Sequence, residues 1–194
     1  MTGASAEIHE PFGHFWRAEI LAARPLILPR RHFTYPREAE EVERGALEVM
    51  VHQGGEPGEP GADPFLATCA LGFADPMVPT GIWAGPNPRD MCAVSGGYAY
   101  VIDTAAPEAF VMLPYRPVME VRAAVALGLL LFVGHRNILA WGVGGKAWES
   151  EKLSDEGLSL STIQGDALHG LGWQMLTDRE TPFALDLRTG LRTR

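Results

Sequence analysis

Two turns and the runs between them hold the densest set of side chains able to recognise or transform a ligand. His135, Arg136 and Asn137 share the turn segment GHRN, Trp141 and Trp148 follow on adjoining apolar runs, and His169, Trp173, Asp178 and Arg179 come next. An indole offers a flat apolar face with one N–H donor. Trp141, Trp148 and Trp173 on one face would therefore make a platform for a sugar ring or another planar ligand, oriented by Asp178 or Arg136. The chain has five tryptophans in 194 residues, and these three lie within 33 residues of one another. Beside such a platform, Asp178 and Glu180 are candidates for the pair of carboxylates that acid–base hydrolysis of a glycoside requires. The competing use of the same rings is structural, filling a core between sheets with indole N–H groups bonded to carbonyls, and this use is favoured.

Other chemistry has weaker support. The six histidines are His9, His14, His32, His52, His135 and His169, and no pair has the i, i+2 or i, i+4 spacing that sets two imidazoles on one face for a metal. No metal site and no cofactor are therefore expected. Cys69 sits among Ala67, Thr68 and Ala70 and reads as an inert core thiol; Cys92, at a loop-to-strand junction, is the more exposed candidate of the two, but a buried or half-buried position is favoured for it as well. Cys92 would need His135 or His169 brought to it by the fold to act as a nucleophile. GVGGK at 142–146 has the look of a phosphate loop but lacks the following Ser/Thr and helix, so a β-turn accounts for it better. No G-x-S-x-G elbow occurs.

Charge and hydropathy narrow the partners. The formal net charge is −8, with RPLILPRRH (24–32) and LRTGLRTR (187–194) the only basic patches. Nucleic-acid binding requires a positive surface to displace counterions, so no nucleic-acid partner is expected. The longest apolar run, Val125 to Val133, is nine residues, well short of a membrane span, and no membrane partner is expected. MTGASAEIHEPFGHFW lacks the basic and apolar regions of a secretory leader, which makes a reducing cytoplasm the expected compartment.

The elements that must position these residues are strands. From Leu129 to Leu187 short β-type runs alternate with turns at a spacing of about ten residues, the pattern of an antiparallel meander. ALEVMVHQ (46–53) alternates Leu47, Val49 and Val51 against Glu48, Met50 and His52, and Phe183, Leu185 and Leu187 alternate with Ala184, Asp186 and Arg188. FLATCALGF (65–73) is apolar on both faces and reads as a central strand. Gly157, Gly165 and Gly190 are placed for turns that need positive φ. Apolar residues in HFWRAEILAA (14–23) fall near helical spacing and predict one short N-terminal helix, while residues 1–13 read as loosely draped. Residues 54–64 and 75–90, rich in Gly and Pro, read as surface loops, and the acidic run at Glu38, Glu40, Glu41 and Glu43 as a solvated turn.

Segments starting at Gly96, Leu129 and Gly165 share the order turn, apolar strand, polar break, second strand. That order resembles a blade of a quinoprotein-like or kelch-like β-propeller, with LLLFV, ILAWGV, AWESEKL and LSLSTI as four strands of one blade. The C-terminal half is also similar to a group of bacterial proteins of uncharacterised function that share the segments W-x-S-x-x-LS-x-(D/E)-G-L and PF-x-LDL-x-TG. Here these are Trp148, Ser150, Leu153, Ser154, Glu156, Gly157 and Leu158, then Pro182, Phe183, Leu185, Asp186, Leu187, Thr189 and Gly190. The resemblance implies a shared fold and supplies no activity.

The sequence thus predicts a single, mainly β domain over 1–194, an antiparallel meander that is propeller-like or a two-sheet sandwich. An N-terminal arm with a helix (1–30) precedes a β core at 46–190. The leading functional expectation is a soluble, non-enzymatic binding or interaction domain for a small molecule or protein, with a homodimer among the possible partners. The alternative is a carbohydrate-active or other hydrolase working beside the tryptophans.

Overall fold

Alternating side chains and glycine turns make strands the dominant regular structure of this chain. The computed structural model describes residues 6–39, 45–54 and 63–193. Contacts divide the chain into two compact units, Met1–Pro117 and Val118–Arg194. Each unit gathers its own apolar core.

The first unit contains β1 (Glu7–His9), β2 (Trp16–Leu21), β3 (His32–Tyr35), β4 (Ala46–Gln53), β5 (Phe65–Ala70), β6 (Gly81–Ala84), β7 (Asp90–Ser95), β8 (Tyr98–Asp103) and β9 (Phe110–Met112). They form two sheets, ordered β1-β6-β7-β8-β9 and β2-β4-β5-β3. One core lies between them: Val49, Val51, Phe65, Ala67 and Cys69 from one sheet meet Ile82, Met91, Ala93, Tyr100 and Ile102 from the other. This unit realises the two-sheet arrangement that strands with one apolar face predict.

Two expectations about its N-terminal part fail for a common reason. The segment expected to be helical is β2, paired antiparallel with β4 from Trp16↔Gln53 to Leu21↔Glu48. Trp16 and the partly buried Ala18 and Ile20 point to the core with period two, while Phe15, counted toward the helical stripe, is exposed. A ladder with β4 outcompetes an isolated helix of ten residues, which is marginal in water. The draped N-terminus likewise holds β1, parallel to β6, with the His9 ring stacked on Trp83 at 4.7 Å.

Residues 75–90 are not simply a surface loop, because they include β6, whose four residues are all buried. Most of the other expected loop, 54–64, and Glu40, Glu41 and Glu43 of the acidic run lie outside the described residues. Two strand pairs, β1–β6 and β3–β5, are parallel. The second arises because residues 22–31 carry the chain from β2 at one edge of its sheet to β3 at the other.

The second unit contains β10 (Glu120–Ala124), a 3-10 turn (Val125–Leu127), β11 (Leu129–Val133), β12 (Ile138–Gly142), β13 (Gly145–Glu149), β14 (Leu158–Gln164), β15 (Ala167–Gln174) and β16 (Arg179–Asp186). β10 to β13 form a four-stranded antiparallel sheet and β14 to β16 a three-stranded one. The four runs expected to make one sheet therefore do not all stay together. LSLSTI leaves for the next sheet and β10 takes its place. The three similar segments are hairpins: β8–β9, β11–β12 and β15–β16. No described sheet closes into a barrel, and no described helix is long and apolar enough to cross a membrane.

Leu131, Val133, Ile138 and Ala140 of one sheet pack with Leu168, Phe183, Leu185 and Leu187 at the other. The two segments carrying the resemblance to the bacterial group are clasped together here. The Trp148 indole N–H donates to Leu187 O at 2.7 Å, and Gly190, at φ +73°, lies directly under the ring. The buried Ser154 hydroxyl reaches Gly157 O at 2.7 Å and Trp173 O at 3.0 Å, and Gly157 itself has φ +86°. These residues are fixed by packing and backbone geometry.

Candidate functional site

The three tryptophans do not share a face. The β12–β13 pairing shifts register between Ala140 and Trp141, so that Trp141 opposes Lys146 while Ala140 opposes Trp148. An unbroken ladder would set Trp148 opposite Leu139, on the side of Trp141. The one-residue bulge at Ala147 inverts it. Trp148 accordingly joins the core with Ala140, and Trp141 points the other way with Leu139. Trp173 stands on a different sheet, and its indole N–H donates to Asp178 Oδ1 at 3.2 Å.

Several of the remaining candidates are brought together, but as fasteners. The His135–Arg136 turn accepts through its carbonyls: Gly157 N–H donates to His135 O at 2.9 Å and Leu153 N–H to Arg136 O at 2.7 Å. The Arg136 guanidinium donates to Asp155 O at 3.0 Å. Asp155 in turn donates its N–H to Trp173 O and accepts Met175 N–H at 2.7 Å, with Lys152 paired to its other oxygen. Those bonds from Lys152 and Met175 hold the Asp155 carboxyl below the usual aspartate range. His169 lies on the same β15 face as Trp173 with Leu171 between them, since all three alternate with the buried Leu168, Gly170 and Gly172. Asp178, in the exposed β15–β16 turn at φ +49°, is engaged by the indole, so these groups hold the segments of this end of the unit together. Both thiols are buried, as the favoured reading of each had it. Burial pushes both well above their ordinary values, which keeps them protonated.

A cleft that sequence reasoning missed lies in the first unit. It has a volume of about 420 Å³ and is bounded by Arg24, His32, Thr34, Tyr35, Arg37 and Glu108, with Phe33 and Pro107 completing its wall. That size is ordinary for a small-molecule site. Sequence and fold explain each position. Pro25 and Pro29 keep the crossover extended, delivering Arg24 beside β3, which pairs with β5 alone among the described strands. Period two puts His32 and Thr34 on one face of β3 and Phe33 and Tyr35 on the other. The connection from β8 to β9 supplies Pro107 and Glu108.

Its polar groups are held by backbone. Tyr35 is buried, its hydroxyl donates to Pro107 O at 2.8 Å, and its ring meets Phe110 edge-on at 5.0 Å. Burial raises its phenol far above the usual value, so it remains a neutral donor. Arg37 donates to Glu108 O at 2.9 Å. His32 Nδ1 lies 3.2 Å from Pro29 O. A carbonyl only accepts, so Nδ1 carries a proton in this contact. Arg31, beside the cleft, donates to Asp63 O at 2.7 Å and lies over the Phe65 ring at 5.7 Å. Two guanidinium groups against one carboxylate leave the lining with a positive excess, suited to a carboxylate or phosphate.

A smaller cavity of about 250 Å³ in the second unit is lined by alanines, Val125, Leu127, Ile163 and Gly165. It offers no polar side chain to orient a ligand. Among the described residues no group of three or more His, Cys, Asp or Glu is placed to hold a metal ion.

No family model and no curated protein matches the chain. Among solved structures, hydrazine synthase from Kuenenia stuttgartiensis is similar at 9% identity and a TM-score of 0.44, over 88% of this chain and 50% of that chain. The chain thus spans half the length of that neighbour, and a likeness of this degree carries no argument about activity.

Proposed function

We propose that this chain is a binding domain whose ligand presents a small anionic group, a carboxylate or a phosphate, to the cleft beside β3. The observation that carries the reading is the convergence of Arg24 and Arg37 on one cavity of about 420 Å³. The surrounding sequence supports it. Residues 22–37 hold four of the chain's sixteen Lys and Arg and none of its twenty-four Asp and Glu. In a chain of net charge −8, that local reversal of sign focuses anions on this face. Binding needs no nucleophile, which fits the leading expectation of a non-enzymatic domain. The hydrolase reading loses its motivation once the tryptophans part and Asp178 is held by Trp173.

The test is calorimetric titration of the full chain with inorganic phosphate and with acetate, alongside Arg24→Gln. A charge-assisted hydrogen bond contributes about 1.5–3 kcal/mol, so Arg24→Gln is expected to weaken binding by about tenfold or more. A ligand present at a hundred times its Kd also raises stability by about 2.7 kcal/mol, a second readout. Equal affinity in the variant, or no heat and no thermal shift with either anion, overturns the reading.

A further inference from the structure

The crossover that delivers Arg24 also carries the most exposed aliphatic residues among those described in the first unit. Leu26 is 104% and Ile27 89% exposed, and Leu28 is 36% exposed. Pro25 and Pro29 on either side are half-buried. The prolines fix φ at both ends and restrict the ways the tip can fold back onto its own sheet. Isolated exposed aliphatics need no explanation, but three in succession projecting from a proline-framed arch do.

From these features we infer that the tip inserts into an anionic lipid surface while the neighbouring cleft takes a headgroup phosphate. The inference rests on the anion-binding reading above and names the source of the anion. Three observations select a bilayer as the occupant. The first is charge: Arg24, Arg30 and Arg31 flank the tip and Arg37 stands across the cleft, with no acidic residue from 22 to 37. Negatively charged headgroups attract such a cluster.

The second is chemistry. The tip has no aromatic ring and no hydrogen-bonding side chain, whereas protein interfaces favour aromatic and arginine anchors in fitted pockets. Hydrocarbon accepts a convex aliphatic tip with no shape complement. The third is contrast within the chain. Met175 and Leu176 at the β15–β16 turn are 64% and 99% exposed, but their neighbours Asp178 and Glu180 would be repelled by an anionic surface. Stable peripheral attachment generally takes two signals, and here apolar insertion and headgroup capture lie on one loop. The sequence expectation of no membrane partner concerned spanning length, which does not bear on a surface contact.

Vesicle flotation of the full chain tests this, using phosphatidylcholine alone and phosphatidylcholine mixed with phosphatidylglycerol. Flotation with the mixed vesicles only is expected. Leu26→Ser/Ile27→Ser replaces exposed side chains, so its thermal midpoint and its affinity for inorganic phosphate stay at the wild-type values while vesicle affinity falls at least about tenfold. Arg24→Gln lowers vesicle affinity by about fivefold and phosphate affinity with it. Unchanged flotation of Leu26→Ser/Ile27→Ser overturns the inference. So does a chain that binds phosphate but no vesicle, which leaves the anion-binding reading standing. A chain that binds neither overturns both. A dimer seen by sedimentation that Leu26→Ser/Ile27→Ser abolishes would also overturn it, by showing a second copy on the tip.

Discussion

Replacing Gly190 with alanine tests the clasp that joins the two C-terminal sheets. Gly190 has φ +73°, a conformation that costs an alanine about 1–2 kcal/mol. An added Cβ would also sit 2.5 Å from Trp148 Cε3 and 2.7 Å from Cδ2. The ring has little freedom to retreat, because its N–H is bonded to Leu187 O and it packs in the second unit's core. Overpacking of this kind costs about 1–3 kcal/mol, and pulling the indole off its carbonyl about 1 kcal/mol more. Gly190→Ala should therefore destabilise by about 3–6 kcal/mol. Gly128 supplies the control: its φ is +62°, but nothing lies within 4 Å of an added Cβ. Gly128→Ala should cost only the backbone strain, about 1–2 kcal/mol. At about 2–4 °C per kcal/mol for a chain of this size, the two variants should separate clearly in thermal denaturation followed by circular dichroism. Equal midpoints for Gly190→Ala and Gly128→Ala would refute the claim that the Trp148 contact fixes this position.

Further outcomes follow from burial and charge. Cys69 and Cys92, both buried with raised thiol pKa values, should ignore Ellman's reagent in the native state and both react in urea; rapid native labelling would contradict the core described for the first unit. The Asp155 carboxyl is held low by Lys152 and the Met175 N–H, so its contribution to stability is present above the unfolded value near 4 and is lost as pH falls through its lower folded value. Asp155→Asn should flatten that acid limb of the stability profile, and an unaltered limb would refute the assignment. Trp148→Phe removes the donor to Leu187 O and should destabilise by about 1–3 kcal/mol in urea titration, with no loss signifying that the carbonyl finds water instead.

The sequence speaks most clearly where one face of a strand is buried and a glycine closes the turn. Residues 46–53 form β4 over the whole expected span, and Phe183, Leu185 and Leu187 are buried in alternation as their spacing requires. Gly157, Gly165 and Gly190 all take positive φ. Where the sequence misleads, tertiary pairing decides. β2 carries a period-two set, Trp16-x-Ala18-x-Ile20, that Phe15 and Leu21 disguise as a helical stripe until β4 is there to pair with it. The orientation of Trp148 turns on a single bulged residue in a hairpin, and composition does not encode register at that resolution. The cleft was illegible for a simpler reason. Glu108 lies 71 residues beyond Arg37 in the chain, and only the β8–β9 connection brings it to Arg24 and the His32–Arg37 stretch. Their sole trace in the sequence is the basic segment RPLILPRRH, which gains meaning once it is placed against β3.

The proposed anion-recognising surface lies beside β3 and not at the tryptophan-bearing turns. Titration of isotope-labelled chain with phosphate, followed by backbone and arginine side-chain NMR, addresses it directly. Shifts should concentrate on Arg24, His32, Thr34, Arg37 and Glu108. Movement of the Trp173 indole and Asp178 instead, or no saturable shift anywhere, would contradict it.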